Sequence, residues 1–230
     1  MPDATGYLRV SRFGGNTHER AAELLDGLLQ QGAKRLLLDL RDNPGGSTRA
    51  ARAITTLFSD AKNVYCERYE TGSTRKLPRH GNTLTALPLV VLVNEHSMSA
   101  AEIVAGALQD HGRAVLVGVP TYGKGLIQKV FRLKAPLGGA VRITIASYAT
   151  PRETLIHGVG ITPDRFVATA PRRLFAETGS LNISARARAF KRQLLEQRLT
   201  QDLPADESKQ LLSMRDEQLH AGLEELAALG

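Results

Sequence analysis

Five consecutive apolar residues, Leu89-Val-Val-Leu-Val93, run without a break into the turn Asn94-Glu-His-Ser-Met-Ser-Ala-Ala-Glu102. A run that short, apolar throughout and closed by a turn, fits a buried strand rather than a helix, which needs ten residues or more. Arg35-Leu-Leu-Leu-Asp-Leu40 repeats the pattern and ends in Arg41-Asp-Asn-Pro-Gly-Gly46. Helices are expected after both turns, over 48–58 and 100–109. Another, capped at Asn16 or Thr17, is expected to run to Gln31, with Ala21, Leu24, Leu25 and Leu28 on one face and Gly32 as its stop. This strand, turn and helix rhythm is that of an α/β fold.

Short strands are also expected over 6–10, 64–69 and 114–117. The alternating stretches 126–133 and 140–148, joined around Pro136-Leu-Gly-Gly139, predict an antiparallel pair. Residues 72–82 are polar, basic and rich in turn formers, and read as an exposed loop. The chain reads as helical from 183, with a break near Pro204, and closes with Leu219, Leu223 and Leu226 at helical spacing. The expected division is a core over 1–170 and a helical C-terminal extension over 171–230 that packs on the core or forms a homodimer.

Several function classes drop out. With 42% hydrophobic residues in 230, a sizeable core can be buried. No apolar run approaches the roughly 20 residues that span a bilayer. Met1-Pro-Asp-Ala-Thr5 lacks the basic-then-apolar pattern of a signal peptide. Cys66 is the single cysteine, so no internal disulfide is expected, and it reads as a packing residue. No Cys or His cluster has metal-ligand spacing, and no metal or cofactor is expected. The net charge of +7 is patterned: residues 165–198 hold eight Arg/Lys against two Glu, and 200–230 hold two against seven Asp/Glu. Such blocks can neutralise each other. Aromatic residues are 5% and none interleave with the basic block, which argues against nucleic acid, while an anionic membrane surface stays open.

Ser99-Ala-Ala-Glu102 is a capping-box pattern. A helix N-terminus also offers free N–H groups and partial positive charge, which a developing oxyanion needs, so Ser99 can be both cap and nucleophile. A serine hydroxyl needs a base. His96 lacks an orienting carboxylate in the sequence, and the other five histidines are scattered. Lys124, between Gly123 and Gly125 and followed by Leu126-Ile127, is the other candidate, because desolvation favours a neutral amine. Taken alone it reads as an ordinary surface lysine. The glycine amides of the Arg41–Gly46 turn could donate to an oxyanion, and Arg41 and Asp42 read as residues that hold the loop.

These segments together resemble the C-terminal processing peptidases, or tail-specific proteases. The resemblance rests on Gly6–Thr17, on Leu37-Leu-Asp-Leu-Arg-Asp-Asn-Pro-Gly-Gly46, on Asn94–Glu102, on Thr121–Gln128, and on the closing motifs Tyr148-Ala-Thr-Pro151 and His157-Gly-Val-Gly-Ile-Thr-Pro-Asp164. It covers residues 6–165, with an echo in Asp216-Glu-Gln-Leu219. The family uses a Ser/Lys dyad at the 25-residue spacing that separates Ser99 from Lys124, which selects Ser99 over Ser97. It places a glutamine four residues past the lysine, here Gln128, to orient it. If both lie on a strand they share a face. The resemblance implies an oxyanion hole from the amides of Gly45, Gly46 and Ala100. It also implies a mixed, crotonase-like core, endopeptidase activity on protein or peptide substrates near their C-termini, and a place in the cell envelope or periplasm. His96 and Met98 replace smaller residues usual in the family, Arg152-Glu153 replace a small-residue turn, and the PDZ domain common ahead of this core is not among these residues. The rival reading, a non-catalytic ligand- or acyl-binding module on the same scaffold, leaves the Ser99, Lys124 and Gln128 set without a purpose.

Overall fold

A computed structural model of the chain describes residues 4–133, 138–168 and 216–229. In chain order the elements are β1 (Thr5–Arg9), α1 (Thr17–Gln30), β2 (Arg35–Asp39), α2 (Thr48–Phe58), β3 (Asn63–Arg68), β4 (Thr74–Pro78), β5 (Leu89–Val93), α3 (Ala100–Asp110), β6 (Val115–Gly118), β7 (Leu126–Arg132), β8 (Ala140–Ala149), β9 (Arg165–Phe166) and α4 (Glu217–Ala228).

They form a mixed α/β fold with two sheets. One is parallel, in the order β1-β2-β5-β6-β9; the other is antiparallel, in the order β4-β3-β8-β7. The apolar runs lie at the centre of the parallel sheet because both of its faces are covered. Side chains alternate along a strand, and Leu36, Leu38, Leu89, Val91 and Val93 join the main core with α1, α2 and α3. Leu37, Val90, Leu92 and Val117 face the other way and pack with Ala221 and Leu226 of α4. Each such Leu or Val gains about 1.5–3 kcal/mol on full burial. Helix α3 is buried at every position from Ala100 to Leu108, as a helix apolar all round must be. It is a stiff base for whatever its N-terminus presents.

Three expectations change. Residues 74–78, in the stretch that reads as loop, form edge strand β4: Thr74, Arg75, Lys76 and Pro78 are exposed and only Leu77 is buried, and the strand pairs with β3 from Lys76↔Cys66 to Thr74↔Arg68. Leu24 lies outside the packed face of α1, at 45% exposure, whereas Ala21 and Leu25 are buried. The two-residue strand β9, paired with β6, is too short to leave a sequence pattern. The β7–β8 pair is antiparallel as expected, and Cys66 is free and buried in β3. Residues 134–137 and the stretch 183–215 lie outside the described residues. No helix among the described residues is long and apolar enough to cross a membrane.

Candidate active site

Ser99 stands between β5 and α3 with φ 57° and ψ −117°. Left-handed backbone at a residue bearing a side chain costs on the order of 1–3 kcal/mol and persists only where the surroundings enforce it. They do so here. The Ser97 hydroxyl donates to the Leu40 carbonyl (2.8 Å) and accepts from the Asn94 amide (2.9 Å). The Met98 amide donates to the Asn43 carbonyl (2.9 Å), and the Ser99 amide donates to Glu102 Oε2 (2.8 Å). Ser97 is thus fully buried and engaged on both sides. Ser99 is half-buried, and its hydroxyl makes no cap hydrogen bond; the Glu102 amide reaches the Ser99 carbonyl instead (2.9 Å).

The Pro44-Gly45-Gly46 turn lies against this elbow. A Cβ on Gly45 would sit 2.7 Å from the Ser99 Cβ and 2.9 Å from the Ala100 nitrogen, and φ there is +89°. Glycine is therefore required for contact between the two turns. Of the three expected oxyanion donors, Gly45 is already occupied, since its amide donates to Asn43 Oδ1 at 2.8 Å. The amides of Gly46 and Ala100 have no acceptor among the described residues. Ala100 is the first residue of α3, where helix geometry leaves an amide unpaired.

Lys124 arrives on the loop between β6 and β7. The Tyr122 amide donates to the Ser97 carbonyl (3.0 Å). At Gly125 a Cβ would lie 2.5 Å from the His157 nitrogen, so a larger residue would push the loop off the 156–161 segment. Lys124 is half-buried, and none of the ion pairs among the described residues involves it.

The residue that joins these pieces was read from sequence as a cap and nothing more. The Glu102 carboxylate is fully buried. Its Oε1 accepts from the Thr121 hydroxyl and the Gly123 amide (both 2.6 Å), and its Oε2 from the Ser99 and Lys124 amides (both 2.8 Å). Burial raises its pKa above the ordinary carboxylate value, and the hydrogen bonds oppose that rise. The signal available in the sequence was a lone glutamate inside the otherwise apolar helix Ala-Ala-Glu-Ile-Val-Ala-Gly-Ala-Leu.

Gln128 lies on β7, exposed and paired in register with Thr144. The expected shared face with Lys124 does not follow from the backbone. Lys124 precedes the strand, so strand alternation does not extend to it. No hydrogen bond among the described residues joins the two side chains. His96 sits beside Glu95 (3.6 Å). It lines a polar cavity of about 190 Å³ with Arg9, Arg41, Asn94 and Asp216, and that cavity includes neither Ser99 nor Lys124. Arg41 and Asp42 hold loops: Arg41 pairs with Asp39 and Asp216 (2.7 and 2.6 Å), and Asp42 accepts from Asn94 (2.9 Å).

Known proteins resemble this chain in sequence and in fold. The sequence model of peptidase family S41 matches residues 4–167. The carboxyl-terminal-processing protease of a Picosynechococcus strain is 43% identical over 169 residues, 74% of this chain and 40% of that protein. The carboxy-terminal processing protease of Bacillus subtilis is 35% identical over 159 residues, 69% of this chain and 34% of that protein. Among solved structures, a photosystem II D1 C-terminal processing protease superposes with a TM-score of 0.68 at 35% identity, covering 74% of this chain and 46% of that one. The chain thus spans less than half the length of these relatives.

Proposed function

The chain belongs to peptidase family S41, and from that premise we propose that it is a serine endopeptidase with a Ser99/Lys124 dyad that cleaves protein chains near their C-termini. The observation that carries this reading is the single carboxylate oxygen, Glu102 Oε2, on which the Ser99 and Lys124 amides meet at 2.8 Å each. It fixes a strained serine and a loop lysine relative to one another, as a nucleophile and its base require.

In the proposed reaction Ser99 Oγ attacks the scissile carbonyl carbon while its proton passes to the unprotonated amine of Lys124. The amides of Gly46 and Ala100 donate to the oxyanion, and Gly45 supplies the space that lets the turn approach. The C–N bond breaks, and Lys124 returns the proton to the leaving amine. Water then hydrolyses the acyl-enzyme with Lys124 again as base. Gln128, at the start of β7, is the proposed orienting partner of the lysine. The same reading takes the fold as crotonase-like, residues 171–230 as a helical extension of the core, and the cell envelope as the setting. The relatives named for C-terminal processing support protein chains as the substrate class.

The test is cleavage of an unfolded protein such as casein, followed by intact-mass analysis. Ser99→Ala and Lys124→Ala are expected to lose more than about 1,000-fold in kcat while keeping their fold. Parental cleavage by either folded variant removes the dyad.

A further inference from the structure

Glu102 holds the lysine loop by its amides; a second buried side chain holds it by its carbonyls. Tyr148, at the end of β8, is 1% exposed. Its amide donates to the Gly125 carbonyl (2.9 Å) and its phenol donates to the Lys124 carbonyl. The ring is fixed edge-on against Tyr65, with centroids 6.3 Å apart and planes at 79°. One residue therefore holds two consecutive carbonyls of the loop that carries the candidate base.

A phenol has one proton, and here it lies on the Lys124 carbonyl. Taking the dyad reading as its basis, we propose that Tyr148 is the positioning residue of the lysine: its hydroxyl on the Lys124 carbonyl and its amide on the Gly125 carbonyl set where the loop presents the Lys124 amine to Ser99. Burial, and then the neighbouring Glu102, push the phenol well above its ordinary pKa of 10.0. Tyr148 therefore keeps the proton that it places on the Lys124 carbonyl, and it acts through Lys124 rather than on the substrate. Its position is not implied by the Ser/Lys spacing, because it comes from the antiparallel sheet.

Tyr148→Phe removes the hydroxyl and keeps the ring. The readouts are kcat and KM on a fluorogenic peptide, the rate at which a fluorophosphonate labels Ser99, and the melting temperature. Both kcat and the labelling rate are expected to fall on the order of 10- to 100-fold, the scale of a misplaced reacting group, with KM within about twofold. Tyr65→Phe, which loses a hydroxyl bonded to Glu67 (3.2 Å) and not to the dyad, is expected to keep the parental labelling rate. A Tyr148→Phe labelling rate within about twofold of the parent, or a loss carried by KM alone, overturns the proposal. If Tyr148→Phe does not fold, 4-aminophenylalanine at position 148 keeps the ring and offers the Lys124 carbonyl only a weaker N–H donor. Labelling slowed by about two- to fivefold supports the proposal, and the parental rate overturns it. Cleavage by Ser99→Ala or Lys124→Ala reports separately on the dyad.

Discussion

Asp39 and Glu102 are both fully buried carboxylates, and their surroundings solve the same problem in opposite ways. Asp39, at the end of β2, has a cation: Arg41 donates to it through Nη2 (2.7 Å), Nε and its own amide (both 3.0 Å), and the Tyr7 hydroxyl adds a bond at 2.7 Å. Burial pushes its pKa up, but the Arg41 and Tyr7 hydrogen bonds and the Arg41 charge bring it below the usual carboxylate value. Tyr7 moves in the complementary direction, to about 12, through its own burial and then Asp39. Glu102 has no cation among its hydrogen-bond partners; every donor is neutral, and burial dominates. The guanidinium makes Asp39 a staple, which continues through Arg41 to Asp216 at the start of α4 (2.6 Å) and so fastens a helix to the sheet. The neutral cage makes Glu102 a hub that sets the places of Ser99, Gly123 and Lys124. On the proposed mechanism, the first region serves stability and the second serves the reaction.

Glu102→Gln should produce the largest effect. The amide NH₂ would face amide donors instead of accepting from them, leaving at least two without an acceptor. kcat is expected to fall on the order of 100-fold, and stability by about 2–3 kcal/mol. Peptide turnover and denaturant unfolding of the same preparation measure both, and parental turnover would mean that the hub positions nothing that reacts.

Asp39→Asn should reverse the pattern. Removing one partner of a buried ion pair is expected to cost about 3 kcal/mol of stability, with kcat per folded molecule within about threefold of the parent. The pH response separates the two carboxylates further. A depressed folded pKa adds stability that is fully present above the unfolded value of about 4 and is lost as pH falls through the folded value. Parental stability should therefore drop below pH about 4, and Asp39→Asn should flatten that drop. Glu102, whose folded pKa is raised, is not a source of that acid loss. Unfolding free energies measured from pH 7 down to 2.5 check the sign, and an unchanged acid limb in Asp39→Asn would break the comparison.

Asp216→Ala should do least. Asp216 is 41% exposed at its side chain, and an exposed pair contributes up to about 1 kcal/mol. It also caps α4 by accepting from the Leu219 amide (3.0 Å), which adds about another 1 kcal/mol. A shift in urea midpoint of that size, with turnover unchanged, places the α4 contact on the stability side.

Much of the scaffold was legible because it is local. Leu36–Leu40 and Leu89–Val93 announce central strands through unbroken apolar character, and the turns after them through Pro, Gly and Ser. The resemblance singled out the Ser99 and Lys124 positions by a fixed count of residues. The hub was not legible, because Ser99 and Glu102 form a local cap pattern that has no need of Thr121, Gly123 or Lys124, and those contacts cross separations of 19 to 22 residues with no periodicity. Edge strand β4 was missed because its polar residues face solvent, where turn and strand chemistry look alike. The shared face of Lys124 and Gln128 does not follow because β7 begins only at Leu126, and the glycines around Lys124 do not mark where the loop ends and the strand starts.

The central claim is that Ser99 is the nucleophile and Lys124 its base. Fluorophosphonate labelling of the 230-residue chain, mapped by peptide mass spectrometry, tests it most directly. The account predicts one adduct, on Ser99, absent in Ser99→Ala and slowed more than about 100-fold in Lys124→Ala. An adduct on Ser97, or parental labelling in folded Lys124→Ala, would contradict it.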